Sequence, residues 1–234
     1  MTGEFRPLDG RARWATAGIA AVLAVDVVRI WSDWLEVKLV DKLLANELDL
    51  TLLDDLDAND DRQLAIAIVR VVVYLASAVL FIRWFHAAYS NITSVGVAAH
   101  RFGRGWAIGA WFVPILNLWR PKQIANDIWR AGALDLPTAN VNSLAAQPVA
   151  ALVTVWWAVW IVSGVLENVV GSAAFDEDTI ETRSMSQFDM FSAGVEIVAC
   201  VLAIAVIRRT TTRLNARREH VATRAAAHAT IAPT

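Results

Sequence analysis

The chain of 234 residues is 56% hydrophobic and only 19% charged. Soluble domains carry about a quarter charged residues, so this composition excludes an ordinary soluble fold. The net charge of −2 excludes a globally basic nucleic-acid-binding protein, and the single cysteine, Cys200, excludes an intramolecular disulfide. Eleven tryptophans fit a protein in contact with membrane interfaces, where this side chain is enriched.

Four stretches approach or reach the length of about 20 apolar residues that a helix needs to cross a bilayer. They are Trp14–Trp34, Leu64–Phe85, Val149–Val170 and Phe191–Ile207. The first could be a signal peptide cleaved after Ala24, but the apolar pattern continues past that point and favours an uncleaved span. We predict an all-α integral membrane protein with a single four-span domain over 14–218, a cytoplasmic N-terminus at 1–13 and a flexible cytoplasmic tail at 219–234.

The charges between these spans predict their orientation. With the N-terminus inside, most arginines fall in cytoplasmic segments, whereas the outer segments hold only Lys38, Lys42, Arg62 and Arg183. Basic residues are enriched on the cytoplasmic side of membrane proteins. We therefore predict that both termini are cytoplasmic.

The stretch Gly105–Gln123 is apolar over about 15 residues, which is too short for a full span. A crossing here would also move the arginines of the tail outside. Pro114 removes a helical hydrogen bond, so a helix broken at this residue needs protein or water around it. We predict a re-entrant or interfacial half-helix at Trp106–Val113 and a turn at Pro114–Asn117, in which Asn117 could bond the freed backbone.

A second helix is predicted to begin at Pro121 and to stop near Gly132. Its apolar residues fall on one face and its polar residues on the other, which favours an amphipathic helix lying on the cytoplasmic leaflet. The alternative is a surface helix of a small cytoplasmic subdomain. The residues predicted to contact lipid head groups are Arg104, just before the re-entrant or interfacial segment at 105–132, and Lys122, Trp129 and Arg130 within it.

The spans also contain charged residues. Asp26, Arg29 and Asp33 are spaced at i, i+3 and i+7, which places them on one helical face. At 1.5 Å per residue, the polar residues of the spans lie about 4–12 Å from the outer ends of the helices, so they can pair. The remaining members of this intramembrane polar cluster are Arg70, Glu167, Asn168 and Glu196.

Two interpretations of the cluster remain open. It could be a set of interhelical ion pairs that locks the helices together. It could also be an outward-opening polar route in which Asp26 or Glu196 titrates and Arg70 holds a counter-charge. No matching cluster continues through the inner half of the spans, which favours the lock.

The segment 35–63 is acidic and is predicted to be an outer loop. Asp55, Asp57 and Asn59 could fill the first, third and fifth positions of a calcium loop. The required glycine is replaced by Asp60, and the required glutamate by Ile66, which argues against an EF-hand. Loose divalent-ion binding by the carboxylates and a solvated loop without metal both remain open.

Several stretches resemble one bacterial family. They are Arg83-Trp84-Phe85, Asn91, Gly105-Trp106-Ala107, Phe112-Val113-Pro114-Ile115-Leu116-Asn117-Leu118-Trp119-Arg120-Pro121 and Trp129-Arg130. They are similar to the largely actinobacterial membrane proteins known as domain of unknown function 4328, over roughly residues 65–210. The resemblance implies a small multi-pass protein of the bacterial inner (plasma) membrane and assigns no reaction, cofactor or site. After Trp129-Arg130 the family would place a small polar residue, where this chain has Ala131-Gly132.

No Walker loop, Rossmann glycine pattern or nucleophile elbow is present, so we expect neither an enzyme nor a cofactor. The first expectation is a non-catalytic scaffold or accessory subunit of a membrane complex. The alternative is a small transporter, channel or ion-coupled sensor that uses the charged cluster and the broken half-helix. A third is a lipid-acting enzyme whose basic residues hold head groups. The expected partners are the lipid bilayer and other membrane proteins or a second copy of the chain, with no nucleic acid.

Overall fold

The computed structural model describes residues 5–45, 51–135, 141–173 and 179–231. Within those ranges the chain is helical and has no β-strand, which confirms the predicted fold class. The seven α-helices are α1 (Asp9–Leu44), α2 (Thr51–Ser90), α3 (Trp106–Gly109), α4 (Arg120–Ala131), α5 (Val141–Ala146), α6 (Ala151–Ala173) and α7 (Thr179–Ile231).

Four of these helices are long and apolar enough to cross a membrane: α1, α2, α6 and α7. Their most apolar stretches have mean hydropathies of 1.5, 2.5, 1.5 and 2.4 in that order. The prediction of four spans is therefore confirmed, and the chain is a multi-pass membrane protein.

The helices extend well beyond the predicted spans. Because α1 continues to Leu44 and α2 already begins at Thr51, the described part of segment 35–63 is helical, and the prediction of a loop is wrong there. Polar side chains of α1 and α2 form hydrogen bonds with one another in this region. The helical hydrogen bonds at the same time satisfy the backbone N–H and C=O groups. The described part of the predicted tail is also helical, since α7 ends at Ile231.

The chain divides into two compact units, where the sequence predicted one domain. The first comprises Met1–Ala17, Ala78–Trp157 and Ala203–Thr234. The second comprises Gly18–Ser77 and Ala158–Leu202. Each unit holds one of the two groups of residues that the sequence singled out: the second unit contains the intramembrane charges and the first contains the Pro114 stretch.

Aromatic side chains form the core of the first unit. Trp84, Phe85 and Tyr89 are each at most 2% exposed. Phe81 lies 5.4 Å from Trp111 in an edge-to-face arrangement, measured between ring centroids. Rings in this geometry contribute to packing beyond the area they bury. Trp84 and Phe85 of the family-like stretch at 83–85 are therefore part of the core.

The C-terminal part of α7 belongs to the same core. Arg217 is buried and donates hydrogen bonds to the backbone oxygens of Val95 (3.2 Å) and Leu134 (2.8 Å). The end of α4 comes so close to α7 that a Cβ atom on Gly132 would lie 2.8 Å from the Cβ atom of Arg213. Only glycine fits this approach without displacement of the neighbouring chain.

Candidate functional site: a buried charge network

Charged side chains from four helices meet inside the second unit. We call this group the charge network. Its members come from α1, α2, α6 and α7, and each of them forms at least one ion pair with another member. They are Asp26 and Arg29, Arg70, Glu167, and Asp189 and Glu196.

Arg29 is the most central member and is only 5% exposed. Its Nη2 atom donates to Glu167 Oε1 at 2.9 Å, and its Nε atom lies 3.2 Å from Asp189 Oδ2. Its Nη1 atom is 3.8 Å from Glu196 Oε2. The forked guanidinium thus contacts carboxylates from both α6 and α7, which suits its fixed planar geometry.

Arg70 makes a second set of contacts around two of the same carboxylates. Its Nη2 atom donates to Glu167 Oε2 and to Glu196 Oε2, the latter at 2.9 Å. Its Nε atom lies 3.9 Å from Asp26 Oδ1. Glu167 and Glu196 both contact the two arginines, and Glu167 makes the shorter contact with Arg29 and also accepts a hydrogen bond from Ser192 Oγ (2.9 Å).

Asp26 differs from the other carboxylates of the network. It is fully buried, and neither of its carboxylate oxygens has a hydrogen-bond partner. Among the described residues, its sole ion pair is the 3.9 Å contact with Arg70. An ionised carboxylate in such a place is costly, because neither water nor a donor offsets the lost hydration.

A layer of uncharged and charged polar groups continues from the network along α1, α2 and α7. Glu36 accepts hydrogen bonds from Asn59 Nδ2 (3.0 Å), Gln63 Nε2 (3.2 Å) and Ser186 Oγ (2.7 Å). Arg62 donates to Ser32 Oγ at 2.9 Å. Apart from Asn59, a candidate for the calcium loop, these residues were not predicted as part of a site, although Glu36 follows Asp33 by three residues and so continues the same helical face.

The structure brings together five residues of the predicted cluster: Asp26, Arg29, Arg70, Glu167 and Glu196. Asp33 is buried on the same face of α1 and accepts a hydrogen bond from Gln63 Nε2 at 3.3 Å. Asn168 does not join the network: its Nδ2 atom donates to the backbone oxygen of Gly164 in its own helix (2.7 Å). Asp189 was missed because it lies two residues before the predicted fourth span.

The Pro114 stretch lies in the first unit and differs from its prediction. The half-helix expected at Trp106–Val113 is a single helical turn, Trp106–Gly109, and turns continue to a 3₁₀ segment at Leu116–Leu118. Asn117 does not bond the freed backbone through its side chain; its Oδ1 atom is buried without a partner, while its backbone N–H donates to the oxygen of Val113 (2.8 Å). Pro114 and Trp119 are exposed, and Pro121 is buried at the start of α4.

Helix α4 agrees with its predicted bounds but not with its predicted environment. Ile124 and Ile128 are at most 1% exposed, so protein rather than lipid covers the apolar face. Trp129 is 9% exposed and its ring lies 4.5 Å from the guanidinium of Arg213. The prediction that α4 lies on the membrane through this face is wrong, because the apolar face closes the core of the first unit, as in the alternative interpretation of a surface helix in a subdomain.

Two of the four predicted head-group residues are also engaged within the protein. Lys122 Nζ donates to Asn126 Oδ1 (2.8 Å) and Thr154 Oγ1 (3.0 Å). Burial, with Arg130 nearby, lowers the pKa of Lys122 to about 8. Arg130 Nε donates to the backbone oxygen of Gln147 at 2.7 Å. Trp129 is buried as described above, so only Arg104, which is exposed, remains available to lipid head groups.

Asp127 on α4 provides a pH-dependent prediction. It is 2% exposed, and burial raises its pKa to about 6 although Arg101 and Arg130 act in the opposite direction. A raised carboxyl pKa means that the folded state binds the proton more tightly, so stability is greatest below the unfolded value near 4 and falls as the pH rises through 6. We expect Asp127→Asn to stabilise the protein by about 1–3 kcal/mol at pH 7.5 and by less than about 1 kcal/mol at pH 4.5.

The measurement is thermal unfolding in detergent between pH 4.5 and 8, with Asp55→Asn as the control because Asp55 is exposed on α2. The control should follow the wild type at every pH. The prediction would be contradicted if Asp127→Asn were less stable than the wild type at pH 7.5, or if its unfolding temperature changed with pH in the same way. Either result would mean that ionised Asp127 does not destabilise the folded state.

The three residues predicted to form a calcium loop do not lie in a loop. Asp55, Asp57 and Asn59 lie within α2, with both aspartates exposed. Asn59 is 4% exposed, donates to Glu36 and accepts a hydrogen bond from Arg62. A helix cannot wrap these three side chains around one ion as the calcium loop does. The calcium-loop interpretation is therefore wrong, and Asn59 has a structural role.

The fold and the site together define a class: an all-α, multi-pass membrane protein with a buried charge network that joins four helices. Residues 50–212 match the family described as domain of unknown function (DUF4328), and the chain belongs to that family. Neither a curated protein nor a solved structure matches the chain.

Proposed function

We propose that the protein is a non-catalytic integral membrane scaffold or accessory subunit of a larger membrane complex. The observation that carries this proposal is the closed pairing of the charge network. Both arginines are contacted by carboxylates from other helices, and Glu167 bridges them. Groups held in this way stabilise a helix arrangement, and both charges of each pair are already engaged.

The surface of α2 supports a partner within the membrane. In its most apolar stretch only 6% of the residues are buried, compared with 22–33% in the other three candidate spans. Ile68, Val72 and Leu75 lie on one face at i, i+4 and i+7 and are 57–62% exposed. This face is available to lipid and to another transmembrane helix, either from a different membrane protein or from a second copy of the chain.

The experiment is purification from native membranes in mild detergent, with and without a bulky residue on this face. A stoichiometric partner should accompany the wild type and be lost from Val72→Trp. The matched control is Val165→Trp on α6, at a residue that is 58% exposed, and it should retain the partner. Recovery of a lone monomer from native membranes, or equal retention by both variants, would count against the proposal.

We propose that both termini are cytoplasmic, on the strength of the distribution of basic residues. Labelling of cysteines placed one at a time at Arg13 and at Asp55, in a Cys200→Ala background, tests this orientation. In intact cells an impermeant maleimide should label the second position and not the first. The reverse labelling pattern would indicate the opposite orientation, with both termini outside.

A second function, an ion-coupled sensor or small transporter, is favoured by the excess of carboxylates. The network and Asp33 hold five acidic side chains against two arginines, and Asp26 has no hydrogen-bond donor. Proton flux into proteoliposomes tests it. The wild type should dissipate a pH gradient faster than Asp26→Asn, whereas Asp55→Asn should match the wild type. Flux equal to that of empty liposomes would exclude a proton route.

A further inference from the structure

Arginines and aromatic rings lie together in the first unit, at a place that the charge network does not involve. We call this group the arginine–aromatic patch. It lies where the loop after α2 leads into α3 and where α4 begins. Arg101, Phe102, Trp106 and Arg120 form its ring contacts, and the exposed Arg104 lies between Phe102 and Trp106 in the sequence.

The backbone of the patch is held in place by the end of α2. Tyr89 is fully buried, and its hydroxyl accepts a hydrogen bond from the backbone N–H of Phe102 (2.9 Å) and donates one to the backbone oxygen of Phe102 (3.1 Å). His100 Nε2 lies 2.9 Å from the backbone oxygen of Tyr89. The loop is thus ordered before any ligand arrives, which lowers the entropy lost on binding.

Two arginines share the ring of Phe102. The guanidinium carbon of Arg120 lies 4.2 Å from the ring centre of Phe102 and 5.3 Å from that of Trp106. The guanidinium carbon of Arg101 lies 5.1 Å from the ring centre of Phe102. Aromatic faces orient guanidinium groups and leave their N–H edges free for an anion.

These arginines have no acidic partner in the part of the chain that the structure describes. None of the ion pairs there involves Arg101, Arg104 or Arg120, and the Nε atom of Arg120 is buried without a hydrogen-bond partner. Asp127 acts on Arg101 only at longer range, and it lies 3.9 Å from Arg130. Cations that gather without a counter-charge repel one another, so an external anion would stabilise them.

Exposed apolar residues follow the patch along the chain. Phe112 is 71% exposed, Ile115 is 68% exposed and Leu118 is 54% exposed, while Trp106 and Trp119 are 38% and 43% exposed. Large apolar side chains in water are unfavourable, but beside basic residues they match the boundary between head groups and acyl chains.

We propose that Arg101, Arg104 and Arg120 bind the phosphate of an anionic phospholipid, whose acyl chains lie against the exposed apolar side chains of residues 106–119. Guanidinium groups bind phosphate through paired, charge-assisted hydrogen bonds, which the open N–H edges can provide. The lipid supplies both the anion that the arginines lack and the apolar contact that the following residues lack. This site is independent of the proposed scaffold function.

The test is a titration of the full-length protein in detergent, followed by native mass spectrometry. The ligands are phosphatidylglycerol, phosphatidylcholine and soluble glycerol phosphate. The variant Arg101→Gln/Arg104→Gln/Arg120→Gln removes the patch. The control Arg13→Gln/Arg208→Gln/Arg209→Gln removes the same charge from exposed positions of the same unit.

We expect the wild type to prefer phosphatidylglycerol and the patch variant to bind it about tenfold more weakly, because paired charge-assisted contacts are lost. The affinity of the control variant for phosphatidylglycerol should stay within about twofold of the wild type, because only exposed charges outside the patch are removed. Phe102→Leu retains every charge but removes the platform, so it should weaken binding several-fold. If the triple variant fails to fold, Arg120→Gln and Phe102→Leu give the same comparison.

Three outcomes would overturn the proposal. The first is equal affinity for phosphatidylglycerol and phosphatidylcholine. The second is equal weakening by the patch variant and the control, which would indicate attraction by net charge. The third is displacement of phosphatidylglycerol by glycerol phosphate at equal concentration, which would assign the site to a soluble phosphate ester rather than to a lipid.

Discussion

Replacement of Arg70 by methionine will cost the protein much of its stability. The change retains an apolar stem of similar length, but Asp26 loses its ion pair and Glu167 and Glu196 keep only Arg29 as a shared cation. Removal of one partner from a buried ion pair costs about 3–5 kcal/mol, because the other charge stays buried without compensation. We expect a lower yield of monodisperse protein and a strongly reduced unfolding temperature in detergent.

Arg83→Met is the matched control for this experiment, because Arg83 lies on the same helix and is exposed. It removes an equal charge and should change the unfolding temperature little. If Arg70→Met and Arg83→Met unfold at the same temperature, the charge network does not lock the helices.

A second substitution separates loss of charge balance from loss of packing. Glu196 Oε2 accepts a hydrogen bond from Arg70 at 2.9 Å, so Glu196→Gln should recover part of the stability of Arg70→Met. The same substitution in the wild type should be destabilising, since it removes the anion that Arg70 and Arg29 face. Interaction between contacting residues is measured by this departure from additivity. Equal effects in the two backgrounds would mean that Glu196 and Arg70 are energetically independent.

The helical periodicity of α1 was sufficient to predict most of the charge network. Asp26, Arg29 and Asp33 share a face by spacing alone, and charges at similar depth in other helices are natural partners. Asp189 could not be predicted in this way, because the apolar stretch that defines the fourth span begins only after it. The helix nevertheless continues, and Asp189 precedes Glu196 by seven residues, on the same face of α7.

For α4 the sequence pattern predicted a helix but could not identify what covers its apolar face. Ile124 and Ile128 would be apolar in contact with either lipid or protein, so periodicity cannot separate the two cases. The structure places both residues in the core of the first unit. Arg104 was predicted to contact lipid head groups, but the grouping of the arginine–aromatic patch was not. Arg101 and Arg120 are nineteen positions apart in the sequence and meet only because Tyr89 positions Phe102 between them.

Trp84→Ala will have the other large effect, in the first unit. Trp84 is 2% exposed, its ring lies 5.6 Å from that of Phe81, and its Nε1 atom donates to Thr211 Oγ1 at 3.0 Å. Truncation of a buried tryptophan to alanine costs about 3–5 kcal/mol, through lost burial and the cavity that remains. We expect a much lower unfolding temperature in detergent and faster proteolysis of the folded state.

Two further variants resolve the contributions of the ring and of its hydrogen bond. Trp84→Phe keeps most of the aromatic packing but leaves the buried hydroxyl of Thr211 without its donor, which costs about 1–3 kcal/mol. Trp14→Ala is the control, because Trp14 is 67% exposed, and it should unfold like the wild type. The expected order of stability is therefore Trp14→Ala, then Trp84→Phe, then Trp84→Ala. A Trp84→Ala variant as stable as Trp14→Ala would mean that the family-like stretch at 83–85 serves something other than the packing of this core.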